Sequence, residues 1–196
     1  MKRKSQKASE KQNKKREKII FVKLIIIGIT VLIGSSVLVY NFFEGDLYTA
    51  FVLDLVGKSF LYAAALLFCS FILYLCFTIT VINPQRVKLK KVIAFASVGI
   101  ITLILTIFLV RFSFNEITKG ATDLSAYSKG EWQVKEMLVT DVYRGGYHTG
   151  PGVLIETKEG EMSLHWENYF SNVGEKYRFT YLDATNTIIK VDRVAD

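Results

Sequence analysis

Residues 59–82 read SFLYAAALLFCSFILYLCFTITVI, twenty-four positions with no charged side chain and no proline. A hydrocarbon core of ~30 Å needs about 20 helical residues at 1.5 Å each, so this stretch has the length of a transmembrane helix rather than of a soluble core element. Asn83 and Pro84 follow at once and stop it, because proline lacks the amide and clashes with the preceding turn. Downstream, Arg86, Lys88, Lys90 and Lys91 form a loop without an acid. A second apolar run, VIAFASVGIITLILTIFLV over residues 92–110, then ends at Arg111. Upstream, residues 41–58 (NFFEGDLYTAFVLDLVGK) are net acidic and apolar on one side, which predicts an interfacial turn or short helix.

Before that segment lies IIFVKLIIIGITVLIGSSVLVY, residues 19–40, whose one charge, Lys23, sits within a turn of the start and can snorkel towards the headgroups. This run exceeds a usual signal-peptide h-region and no A-x-A site follows it, so an uncleaved anchor is expected. Three such runs, 51% hydrophobic residues and only two prolines, Pro84 and Pro151, set the chain apart from a soluble domain of 196 residues.

Charge distribution predicts the orientation. The first eighteen residues hold nine Lys and Arg against two Glu, and the residue 86–91 loop is purely basic; both fall on one side of a three-span path. Residues 41–58 and the C-terminal part, with nine basic and thirteen acidic residues from Ser113 onwards, fall on the other. Lys and Arg next to spans are retained in the cytoplasm, so the N-terminus is expected inside and the C-terminus outside. The basic residues flank spans rather than forming a folded basic surface, so anionic lipid is their expected partner and nucleic acid is not.

The expected organisation is a disordered basic tail (1–18), a three-span region (19–112, spans about 19–40, 59–82 and 92–110), a polar tether (113–129) and an extracytoplasmic all-β domain (130–196). In the last part the hydrophobic period changes to two. Strands are predicted over 132–143, 153–157, 162–166, 177–182 and 187–191, with a short helix or loop over 167–173. Turn residues separate the strands: Gly145-Gly146, Gly150-Pro151-Gly152, Lys158-Glu159-Gly160 and Asp183 to Asn186. Five short strands, the first long enough to bend across two sheets, predict a small OB-like or SH3-like barrel. Its candidate core is Trp132, Leu138, Ile155, Leu164, Phe179 and Ile189.

Few residue patterns carry chemistry. His148 and His165, with Asp141, Glu156 and Glu167 near in sequence, match no metal-ligand spacing. Cys69 and Cys76 are two helical turns apart, about 10 Å, too far for a disulfide within one helix, and read as small packing residues. No phosphate loop, nucleophile triad or cofactor motif is present and no span carries a central charge, so neither an enzyme, a cofactor, a metal nor a stand-alone transport path is predicted. Gly28, Gly34, Ala63 to Ala65, Ser70, Ala94, Ala96 and Gly99 place small residues where helices in lipid approach closely.

The candidate partner-binding loop is Arg144, Gly145, Gly146, Tyr147, His148, Thr149, Gly150, Pro151 and Gly152. It is long for a hairpin and carries residue types common at recognition hot spots. The chain is therefore expected to be a non-enzymatic, multi-pass protein of a bacterial cell membrane that binds another envelope protein as an accessory subunit. The alternatives are an immunity-type protein against a membrane-active toxin and an envelope enzyme using His148 or His165.

Overall fold

A computed structural model describes residues 2–82, 88–144, 153–164 and 172–194; the side chains of residues 2–13 and of Arg144 are not among what it describes. Three long helices come first: α1, Lys2–Asn41; α2, Leu47–Phe77, which runs on as a π-helical turn, Thr78–Ile82; and α3, Leu89–Lys129. Five strands follow: β1, Gln133–Arg144; β2, Val153–Thr157; β3, Gly160–Leu164; β4, Lys176–Leu182; and β5, Thr187–Arg193. The chain divides into two compact units, residues 1–38 with 56–115, and residues 39–55 with 116–196.

All three helices are long and apolar enough to cross a membrane. Their bounds differ from the expected ones in three places. α1 takes in the basic tail, whose Lys, Arg, Glu, Gln and Ala are good helix formers continuing a helix already nucleated by the span. α2 starts at Leu47, so residues 47–58 are one continuous helix with the apolar run that follows. Asp46 caps this helix, accepting the Thr49 amide at 2.9 Å and the Thr49 hydroxyl at 2.7 Å. Residues 113–129, expected as a tether, are the last part of α3. There the small polar residues bond back to the helix, Ser113 to the Leu109 carbonyl at 2.6 Å and Thr122 to that of Thr118 at 2.9 Å, and so do not compete with it. A Schellman cap ends α3 at Gly130 (φ 73°), with the Glu131 amide on the Ala126 carbonyl and the Gly130 amide on that of Tyr127.

Within the first unit the helices meet at small residues. A methyl group added to Gly57 on α2 would fall 2.6 Å from the Leu38 side chain of α1. One added to Gly34 would fall 3.0 Å from the Phe60 Cβ and 3.1 Å from the Gly57 carbonyl oxygen. α2 and α3 touch where Gly99 faces the Cys76 Cβ, and at the perpendicular Tyr62–Phe112 ring pair, 6.0 Å between centroids. Away from these contacts the helices expose large apolar side chains such as Leu32, Ile107 and Phe108, as a surface facing lipid requires. Hydroxyls within them are satisfied on their own helix, as with Thr30 on the Ile26 carbonyl and Thr106 on that of Thr102.

In the second unit the strands form a closed ring in the order β1-β2-β3-β5-β4, with β3 and β5 parallel and every other pair antiparallel. β1 is long enough to serve both sides: residues 133–138 pair with β4 and residues 139–144 with β2. It bends at a bulge between Val139 and Asp141. The β2–β3 hairpin turns through Lys158 and Glu159, and Gly160 supplies the positive φ of 134° that a side chain resists.

The ring encloses Val139, Ile155, Phe179, Ile188 and Val191, all at most 1% exposed, with Met137, Met162, Leu164 and Tyr177 around them. Of the expected core, Ile155, Leu164 and Phe179 are inside. Ile189 is not, because β5 carries an extra residue opposite Thr180 and Tyr181; that residue is Ile189, so Ile188 and Val191 both point inward. Leu138 lies between the inward Met137 and Val139 on the opposite face of β1. Trp132 stands before β1 and joins an aromatic group outside the ring: Tyr127 lies 6.3 Å from Trp132, 5.6 Å from Phe51 and 6.2 Å from Tyr48.

Candidate partner-binding surface

The outer surface of the ring has two walls of different electrostatic character. On β4, β5 and the first half of β1, charges are paired: Arg178 with Glu136 at 2.6 Å, Arg193 with Glu175 at 2.8 Å and Lys190 with Asp192 at 2.7 Å. Glu175 also accepts the Tyr177 hydroxyl at 2.7 Å and the Asn172 side-chain amide at 3.3 Å. The Tyr177 bond, first, holds its carboxyl below the ordinary glutamate value.

The wall of β2, β3 and the second half of β1 is the opposite. Asp141 stands opposite Glu156 in the β1–β2 register, and Glu156 stands opposite Glu161 in the β2–β3 register. Three carboxylates thus sit side by side across three strands, an arrangement that costs stability because like charges face one another. Among the described residues none of the three is in an ion pair. The exposed Tyr143 lies in the same field. Its phenol is held above the ordinary value by a hydrogen bond to Asp141 and by the charges of Asp141, Glu156 and Glu161. At the far end of the β2–β3 hairpin, Lys135 reaches Glu159 at 2.6 Å, which raises the lysine.

Of the residues expected to bind a partner, Arg144 closes β1 opposite Val153, and this pair fixes where the β1–β2 loop leaves the ring. Gly145, Gly146, Tyr147, His148, Gly150 and Gly152 lie outside the described residues, as does His165. The loop therefore springs from the end of the acidic wall that Tyr143 occupies. In sequence, Asp141 and Glu156 stand out only as companions of the histidines. The signal that joins them with Glu161 is register, which requires knowing that Thr140 is bulged out. Among the described residues, no three His, Cys, Asp or Glu side chains come together to hold a metal ion.

The β4–β5 turn is occupied from within the unit. Asp123 of α3 is buried, and its carboxylate accepts the Ala184 amide at 3.1 Å, the Thr185 amide at 2.8 Å and the Thr185 hydroxyl. No family model, no curated protein and no solved structure matches the chain.

Proposed function

We propose that the chain is a non-enzymatic integral membrane protein with its N-terminus in the cytoplasm and its ring outside, where the ring binds a cationic segment of another envelope protein. The three apolar helices and the basic residues flanking them support the orientation. The strand order, the shared long first strand and the parallel β3–β5 pair support an OB-like rather than an SH3-like barrel. Barrels of the OB type use the face of their second and third strands and the loop after the first strand for ligands.

The observation that carries the reading is the row of Asp141, Glu156 and Glu161 on that face. A polyanion is repelled by such a wall, whereas a Lys- or Arg-bearing segment relieves the repulsion among the carboxylates. Tyr143 and the residue 144–152 loop add the aromatic and adaptable contacts typical of recognition sites.

The test is co-purification in mild detergent with charge reversals on each wall. A stoichiometric partner that survives Lys190→Glu but is lost from Glu156→Lys/Glu161→Lys, with the ring still folded, supports the reading. Equal retention by both variants refutes it. Orientation is tested separately by a reporter fused after Asp196; activity only in the cytoplasm reverses it.

A further inference from the structure

Lys23 is the one charge inside the first apolar run, and in the structure its ammonium lies 4.8 Å from the centre of the Tyr74 ring on α2. Both side chains are half-buried. Among the described residues that ring is the ammonium's partner, and no carboxylate pairs with it. An ammonium has three N–H donors, and a ring face takes up charge from one direction without accepting all three. A cation near the start of a spanning helix reaches towards acceptors at the headgroup level.

The helix before it is mainly basic. Arg16 lies two turns earlier on the same face of α1, and Lys14, Lys15 and Lys18 are exposed on the same stretch, with Glu17 the one acid among them. Side chains on a helix lean towards its N-terminus, so Lys23 leans towards Arg16 and the basic end.

We propose that Lys23, held by the Tyr74 ring at the α1–α2 contact, is a binding site for the phosphate of an anionic phospholipid. The ammonium donates to the phosphodiester oxygens, Tyr74 covers its apolar side, and the flanking basic residues select an anionic headgroup over a zwitterionic one. This rests on the reading that α1 and α2 cross a bilayer; under the proposed orientation the lipid belongs to the cytoplasmic leaflet. A reversed reporter result would move it to the other leaflet and leave the contact intact, so the two ideas fail separately.

The test uses the full-length chain, purified in detergent, stripped of lipid and examined by native mass spectrometry. It is titrated with phosphatidylglycerol, with phosphatidylcholine of the same acyl chains, and with inorganic phosphate. The expected result is phosphatidylglycerol retention about tenfold above phosphatidylcholine, falling to near the phosphatidylcholine level in Lys23→Met and several-fold in Tyr74→Leu. Lys23→Arg and Tyr74→Phe, which keep the charge and the ring, should retain it and show that the fold persists. Unchanged selectivity in Lys23→Met overturns the proposal. So does loss in Tyr74→Phe, which would put the phenol rather than the ring in charge, and so does displacement of the lipid by equimolar inorganic phosphate, which would mark a free-anion site.

Discussion

The ring and the three helices solve the same problem, holding a chain in one arrangement, by different physics. The ring hides Phe179, Ile155, Ile188 and Val139 almost completely from solvent, and its driving force is removal of apolar surface from water. The helices do the reverse: Leu32, Ile107 and Phe108 stay on the outside, and the contacts form where Gly34, Gly57 and Gly99 let backbones approach. In a lipid environment apolar burial gives little advantage, so shape and close approach replace it. Large-to-small changes should therefore injure the ring, and small-to-large changes the helices.

The largest expected effect is in the ring. Phe179→Ala removes its most central side chain and should cost about 3–5 kcal/mol, enough to open a domain with so small a core. Hydrogen exchange on the full chain in detergent should show β1, β4 and β5 losing protection while residues 56–82 keep theirs. If both regions lose protection together, the two do not fold as separately as the contrast requires.

The converse substitution is Gly57→Leu. Its added side chain meets Leu38 and the Gly34 backbone, and overpacking of this kind typically costs about 1–3 kcal/mol. The expected signature is a lower midpoint of detergent denaturation followed by α1–α2 proximity, with the ring's exchange pattern unchanged. An unchanged midpoint would mean that close approach at Gly57 does not hold the helices.

How legible each region was follows from the same contrast. The helices were readable because length and charge are one-dimensional properties: residues 59–82 and 92–110 lie within two long apolar helices, while the expected stop at Asn83-Pro84 lies outside the described residues. What escaped was the run over 113–129, where Thr, Ser, Asn and Gly resemble a tether. The helix there depends on back-bonding hydroxyls, on Tyr127 packing against Tyr48 and Phe51, and on the Gly130 cap. Of these only Lys129-Gly130 leaves a local trace.

In the ring, β2 was located at both bounds and β1, β4 and β5 within two residues at each end; the third strand starts two residues earlier than expected, and its expected end at 165–166 lies outside the described residues. The core was half right: the bulge at Ile189 changes which face that residue occupies, Leu138 lies on the face opposite Met137 and Val139, and Trp132 stands before β1. The acidic wall depends on register too, through the bulge after Val139, and was invisible for that reason. The candidate loop was named from composition alone, and the structure describes only its two ends, Arg144 and Val153.

Asp123 sharpens the comparison at an intermediate scale, because it is a buried polar group in the unit otherwise held by apolar burial. Asp123→Ala leaves the Ala184 and Thr185 amides without their acceptor and should cost about 2 kcal/mol. Asp123→Asn keeps one acceptor oxygen and should recover about half of that. Exchange at Ala184 and Thr185 reads the effect directly; if those amides stay protected in Asp123→Ala, the β4–β5 turn is held by its own strands and α3 is not its anchor.

The smallest effect is a titration. Glu175 has its folded value lowered, chiefly by the Tyr177 hydroxyl. A lowered folded value means the ring binds fewer protons than the unfolded chain. The group's contribution is therefore fully present above the ordinary glutamate value near 4.5 and is lost as pH falls through the lowered one. Tyr177→Phe keeps the inward ring, 6.2 Å from Phe179, but removes this hydroxyl and the acceptor of the Asn172 amide. It should cost about 1 kcal/mol at neutral pH and move the acid limb of ring stability towards the ordinary glutamate value. Because the apolar runs 19–40, 59–82 and 92–110 hold no carboxylate, the denaturation midpoint of their contacts should stay flat across that window. A parallel acid loss in the helices would mean that electrostatics reaches the part of the chain assigned here to shape alone.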